Sequence, residues 1–218
     1  MARRFELIVF DWDGTLMDST GAIVASIQAA ARDLGLEPPS DERANHIIGL
    51  GLIDALRHAL PDLPKERYLD VAERYRHHYL SRDHDLLLFA GAADLIDELT
   101  RAGHHLAIAT GKTRKGLDRA FAVSGLGPRF QASRCADECH SKPHPQMLEE
   151  LMSEFGVEPQ ATLMIGDTTH DLLMARNAGV AALGVTYGAH PRAALEAEVP
   201  VYCAANVADM AAWLRQHA

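Results

Sequence analysis

The chain has 218 residues, 48% hydrophobic and 23% charged, with a net charge of -9. That length suits one large domain, or a core domain with an insertion, and the composition allows a sizeable buried core. The acidic balance argues against a general nucleic-acid or anionic-membrane surface, and no apolar run reaches the length of a membrane helix.

The opening stretch MARRFELIVFDWD carries two arginines and a short apolar run. The run is too short for a signal peptide, stops at two aspartates and has no small-residue cleavage pattern after it. It is read as a first strand, ELIVFD at 6–11, in a cytoplasmic protein. The three cysteines Cys135, Cys139 and Cys203 fit a reducing compartment.

From 17 to 84 the pattern is helical throughout. MDSTGAIVASIQAAARDLGL predicts one long helix with Ser19 or Thr20 as its cap. PPSDERANHIIGLGLIDALRHAL opens on Ser40 or Asp41 and predicts a helix pair, and PKERYLDVAERYRHHYLSR predicts one more. Beyond 84 the pattern alternates. GAADLIDELTRAG (91–103) puts Leu95, Ile96 and Leu99 on one face, with Gly103 as a stop. Buried strands are predicted at 105–110, 162–167 and 182–187, with weaker ones at 129–135 and 199–204. Helices are predicted between them at 113–126, 144–156 and 169–179. This order predicts an α/β fold: a Rossmann-like, three-layer core with a parallel sheet, plus an inserted all-helical cap domain. The core takes 1–16 and 85–218, and the cap takes 17–84, lying over the carboxyl edge of the sheet.

Ligands of parallel sheets bind outside the carboxyl ends of the strands. Those ends carry Asp11, Asp13, Gly14 and Thr15, then Thr110, Gly111 and Lys112, then Asp167 and Asp171; Lys142 precedes Pro143 at a helix start. Four carboxylates at one edge would resist ionising together. A divalent cation removes that conflict, and an all-oxygen donor set favours Mg²⁺ over zinc. The Thr110 hydroxyl, nearby backbone amides and the Lys142 ammonium can hold a phosphoryl group. One carboxylate can then attack phosphorus, and a second, two residues on, can protonate the leaving oxygen.

D-x-D-G-T after the first strand, T-G at the second, K-P further on and G-D-x-x-x-D at the fourth resemble the motifs of the haloacid dehalogenase superfamily, in order along the chain. The helical insertion resembles the cap of its phosphoglycolate phosphatase-like subfamily. The resemblance implies Asp11 as nucleophile, Asp13 as acid/base, and Thr110, Gly111 and Lys142 as phosphate contacts. It implies Mg²⁺ held by Asp11, Asp167 and the backbone carbonyl of Asp13, with Asp171 in support. Asp13 points to phosphate chemistry, because dehalogenases of the superfamily lack it. The expected activity is Mg²⁺-dependent hydrolysis of a small phosphorylated metabolite, phosphoglycolate by default, through an aspartyl-phosphate. The partner is that metabolite, with no nucleic acid or membrane, in a monomer or a dimer. A sugar phosphomutase shares every residue named, but the insertion shows no concentrated basic cluster. A phospho-receiver domain would be shorter and lack the insertion, and a non-catalytic phosphate-binding relic would not keep every motif charge.

Several features stay outside this scheme. Trp12 is bulky for its slot. Lys112 reads either as a second phosphate cation or as a helix-start residue. CADECH (135–140) lacks a second ligand pair for a metal. His77, His78, His104 and His105 read as exposed, and no role is read for His170. Gly49 and Gly51 interrupt a helical pattern, either as a packing bend or as a loop reaching the substrate.

Overall fold

The computed structural model describes residues 4–218, so the first three residues of the expected core segment lie outside the described residues. Six strands form the sheet: β1 (Leu7–Phe10), β2 (His105–Thr110), β3 (Ala132–Cys135), β4 (Thr162–Gly166), β5 (Ala181–Val185) and β6 (Tyr202–Ala204). Every pairing is parallel, in the order β3-β2-β1-β4-β5-β6. The order reverses between β1 and β4, and that reversal opens a crevice at their carboxyl ends. The register puts Phe10 beside both Ile108 and Ile165, so these three strands end within two residues of one another.

The central strands are buried on both faces. Ile8, Phe10, Leu106, Ile108, Leu163 and Ile165 pack into one cluster, and Leu7, Val9, Ala107, Ala109 and Met164 pack into the other. Period-two alternation separates the sets, and covering both faces explains why these strands read as continuous apolar runs. The two weaker strand readings, β3 and β6, are the sheet edges. Of the helices that follow, α1 (Thr20–Asp33), α2 (Asp41–His46), α3 (Leu52–Ala59) and α4 (Tyr68–Leu80) form the block between β1 and β2. Helices α5 (Ala92–Ala102), α6 (Arg114–Ser124), α7 (Gln146–Phe155), α8 (Thr169–Asn177), α9 (Arg192–Ala197) and α10 (Val207–His217) belong to the alternating part.

The first four helices bury Ile27, Ala44, Ile47, Leu56 and Val71 in a cluster of their own. The two chain segments joining this block to the sheet run side by side: the Asp18 amide donates to the Leu87 carbonyl, and the Phe89 amide to the Leu16 carbonyl, both at 2.9 Å. Among the described residues, no helix is long and apolar enough to cross a membrane.

Two expectations fail here. His104 is not exposed: it is 6% exposed, and its Nδ1 lies 2.9 Å from the Phe5 carbonyl at the start of the sheet. Ser19 occupies the cap position of α1 but makes no capping hydrogen bond. Its hydroxyl is drawn away by a charged acceptor, the Asp13 carboxylate, at 2.6 Å, and bonds to charged groups are the stronger ones.

Candidate active site

The crevice gathers the strand-end residues. Asp11 follows β1, and its amide donates to the Ile165 carbonyl of β4 at 2.9 Å. Asp167 follows β4 directly. Asp171 is held by its own helix: the Thr168 amide (3.1 Å) and hydroxyl (2.6 Å) both donate to its Oδ2 in the capping box of α8. Thr168 thus caps α8, and the Asp171 carboxylate turns its other oxygen to Lys142 Nζ at 2.6 Å. Lys142 Nζ also lies 2.9 Å from Asp11 Oδ1. One buried ammonium thus stands between two buried carboxylates.

Asp11, Asp167 and Asp171 each offer an oxygen within 4.8 Å of the others. Asp167 accepts from the Thr15 hydroxyl at 2.9 Å and the Ala189 amide at 2.7 Å. Asp11 is 1% exposed; its Oδ1 faces the Lys142 ammonium, and its Oδ2 has no hydrogen-bond partner among the described residues. Burial pushes its pKa up to about 7, partly offset by Lys142 and reinforced by Asp171 and Asp13. Burial, with Asp11 and Asp171 adding to it, also holds Asp167 well above the usual carboxylate range. For Lys142 burial acts downward, but Asp11 and Asp171 more than offset it and leave the ammonium firmly protonated. Three buried carboxylates against one buried ammonium leave charge that the protein alone does not compensate, which fits a hard divalent cation, and the donors are all oxygen.

Asp13 lies apart from this triad. Its Oδ1 accepts from Ser19, and its Oδ2 faces Lys112 Nζ at 3.0 Å. Lys112 is thus an ion-pair partner in the structure as it stands, and it also donates to the Tyr79 hydroxyl of α4 at 3.0 Å. Thr110 is fully buried, and its Oγ1 accepts from the Lys112 amide. Gly111 meets the loop between α2 and α3: a Cβ there would lie 2.5 Å from the Leu50 carbonyl oxygen and 2.6 Å from that of Gly49. Gly14 has φ +76°, and a Cβ on it would collide with the Asp167 carboxylate. Close approach requires both glycines, and at Gly14 the positive φ requires one as well.

The Gly49 and Gly51 interruption serves docking onto the core. Gly49 has φ +92°, and the Gly51 amide donates to the Ser141 hydroxyl at 2.8 Å. The same loop lines the cavity that contains Asp11 and Asp13. Trp12 points into the core and stands edge-on to Phe121 at 5.3 Å, which accommodates its bulk; its indole N–H has no acceptor among the described residues. Sequence reasoning missed a second cluster. His170 Nε2 is 2.7 Å, and His190 Nε2 3.2 Å, from the carbonyl oxygen of His46 at the end of α2. These two core histidines hold the helical block from below. His170 had no visible signal, since its spacing within an acidic motif says nothing about a partner 124 positions away.

The haloacid dehalogenase-like hydrolase family matches residues 8–185. The chain is 39% identical over 201 residues to "Probable phosphatase IndB" of Dickeya dadantii, covering 89% of this chain and 86% of that protein. It is 29% identical to a phosphoglycolate phosphatase of Vibrio vulnificus, covering 95% of each. The solved structure of a predicted phosphoglycolate phosphatase from Haemophilus somnus superposes with a TM-score of 0.86 at 25% identity, covering 96% of this chain and 98% of that one. The crevice between β1 and β4, the motif order and these likenesses agree: the chain belongs to the haloacid dehalogenase-like hydrolases.

Proposed function

We propose that the protein is a divalent-cation-dependent phosphatase of a small phosphomonoester, working through a phosphorylated Asp11. The observation that carries this reading is the Asp11 carboxylate: buried, with one oxygen faced by an ammonium and the other without a partner among the described residues, and bordering the cavity under the cap. In the first step an Asp11 oxygen attacks phosphorus, and the bond from phosphorus to the ester oxygen breaks. Asp13, in its protonated form, gives its proton to the departing alkoxide. In the second step Asp13 takes a proton from water, the water oxygen bonds to phosphorus, and the bond to Asp11 breaks. Inorganic phosphate leaves and the carboxylate is restored.

Thr110, the amide of Gly111 and Lys142 hold the phosphoryl oxygens during both steps. Lys142 serves this role as a fixed charge, since its two carboxylate neighbours leave it few other positions. Asp11, Asp167 and the Asp13 carbonyl would hold Mg²⁺, with Asp171 supporting them, and the bound cation supplies neutralising charge for the transferring oxygens. The cap excludes bulk water in the first step.

The test is phosphate release from a panel of phosphomonoesters, with phosphoglycolate as the reference, in Mg²⁺ and in EDTA. Activity should require the cation, and Asp11→Asn should reduce it at least 10³-fold while circular dichroism stays unchanged. Full activity in that variant would remove Asp11 as the nucleophile.

A further inference from the structure

The cavity at Asp11 has a volume of about 350 Å³, within the range of small-molecule sites at about 300–1,000 Å³. Its chemistry changes sharply with distance from the strand ends. Asp11, Asp13, Thr110 and Lys112 form the polar end. The remainder is walled by Ile23 of α1, Ile47 and Leu50 of the docking loop, Tyr75 and Tyr79 of α4, and Val123 of α6. The two tyrosine rings stack with centroids 5.8 Å apart and an interplanar angle of 23°, which presents flat aromatic surface.

Two of the cations near this wall are already engaged. Lys112 faces Asp13 and bonds to Tyr79. Arg119 donates to Asp83 at 3.1 Å. Arg76 and Lys115 also line the cavity but are exposed, where solvent and salt weaken their pull. A short leaving group ending in a carboxylate would set its charge against apolar walls without a free buried partner, and it would leave most of the cavity unfilled. An apolar ring would instead bury its surface there and stack on the tyrosines.

We infer that the site selects phosphomonoesters whose leaving group is uncharged and carries an aromatic ring, over short anionic ones such as phosphoglycolate. This rests on the phosphatase reading for its chemistry, but the selection itself is a property of binding. It is therefore tested first with ligands that cannot react. Titration calorimetry in Mg²⁺ compares 2-(2-naphthyl)ethylphosphonate with 3-phosphonopropionate, the carbon analogue of phosphoglycolate. The naphthyl compound should bind at least 30-fold more tightly, about 2 kcal/mol. Val123 is 51% exposed, so Val123→Asp leaves the core intact while placing a charge on the wall, and it should cut that ratio at least tenfold.

Equal or tighter binding of 3-phosphonopropionate, or an unchanged ratio in the variant, overturns the inference. Turnover of 2-naphthylmethyl phosphate and phosphoglycolate, both esters of primary alcohols, then separates the two readings. Preferential hydrolysis of the naphthyl ester supports both. Tight naphthyl binding without hydrolysis of either ester supports the selection and rejects the phosphatase. Preferential hydrolysis of phosphoglycolate keeps the phosphatase and rejects the selection.

Discussion

Lys112 Nζ lies 3.0 Å from Asp13 Oδ2 and donates to the Tyr79 hydroxyl at the same distance, so one ammonium joins a motif carboxylate to the helical block. Both partners of the ion pair are largely buried. Removing the lysine alone leaves a carboxylate short of a partner, which costs more than the pair is worth. Lys112→Met should lower unfolding stability by about 1–3 kcal/mol. Adding Asp13→Asn should return part of that loss. Urea unfolding of the parent, both single variants and the double variant measures the coupling, and strictly additive losses would refute it.

Cation binding should be linked to protons. Burial above all lifts the Asp11 pKa to about 7 and raises that of Asp167 as well, so part of the population is protonated at neutral pH. A cation needs the ionised forms. Binding at pH 7 should therefore release protons, and affinity should tighten as pH rises from about 6 to about 8. Calorimetry with Mg²⁺ in two buffers of different ionisation enthalpy reads the proton count directly. Affinity independent of pH would contradict the charge distribution described above.

His190 should make the fold sensitive to acid. Burial, reinforced by His170, pushes its pKa down to about 4, while an unfolded histidine titrates near 6.5. The unfolded chain therefore takes up this proton first as pH falls. The stability contributed by neutral His190 is complete above about pH 6.5 and is lost progressively down to about pH 4, roughly 3 kcal/mol in all. Asp11 and Asp167 act in the opposite direction, so the comparison must be with a variant. His190→Gln keeps an acceptor for the Thr169 amide and should flatten the decline between those pH values in thermal unfolding. Parallel curves for parent and variant would exclude His190 as a source.

Gly111→Ala should separate catalysis from stability. The added Cβ meets two backbone carbonyls of the docking loop, and backbone cannot yield as a flexible side chain does. The loop must shift while the sheet beneath keeps its packing. Turnover, measured as kcat/KM, should fall by about 10- to 100-fold with a small change in Tm. Unchanged kcat/KM would mean that the loop position does not matter to the reaction.

Three of the candidate residues that could be read in advance share one property: each stands at the end of an apolar run. Asp11, Thr110 and Asp167 follow strands whose continuous hydrophobicity announces burial on both faces, and a parallel sheet brings such ends to one rim. The helices at 20–33, 114–124 and 146–155 carry their own periodicity and stop signals. Helices α9 and α10 were not anticipated, and β3 and β6 were only weakly marked, because edge elements bury fewer residues and leave a fainter pattern.

The amino-acid sequence alone determined the kind of fold, the ends of its strands and the chemical types gathered there, because local periodicity and side-chain chemistry are written residue by residue. Only the tertiary structure decided that Ser19 serves Asp13 rather than its helix, that Lys112 is held by a carboxylate, that His170 and His190 meet the His46 carbonyl, and that the cavity wall is apolar. Each of these depends on contacts made after packing, two of them between residues more than a hundred positions apart. A charge or hydroxyl takes the strongest partner that packing brings near, and no local pattern names that partner in advance.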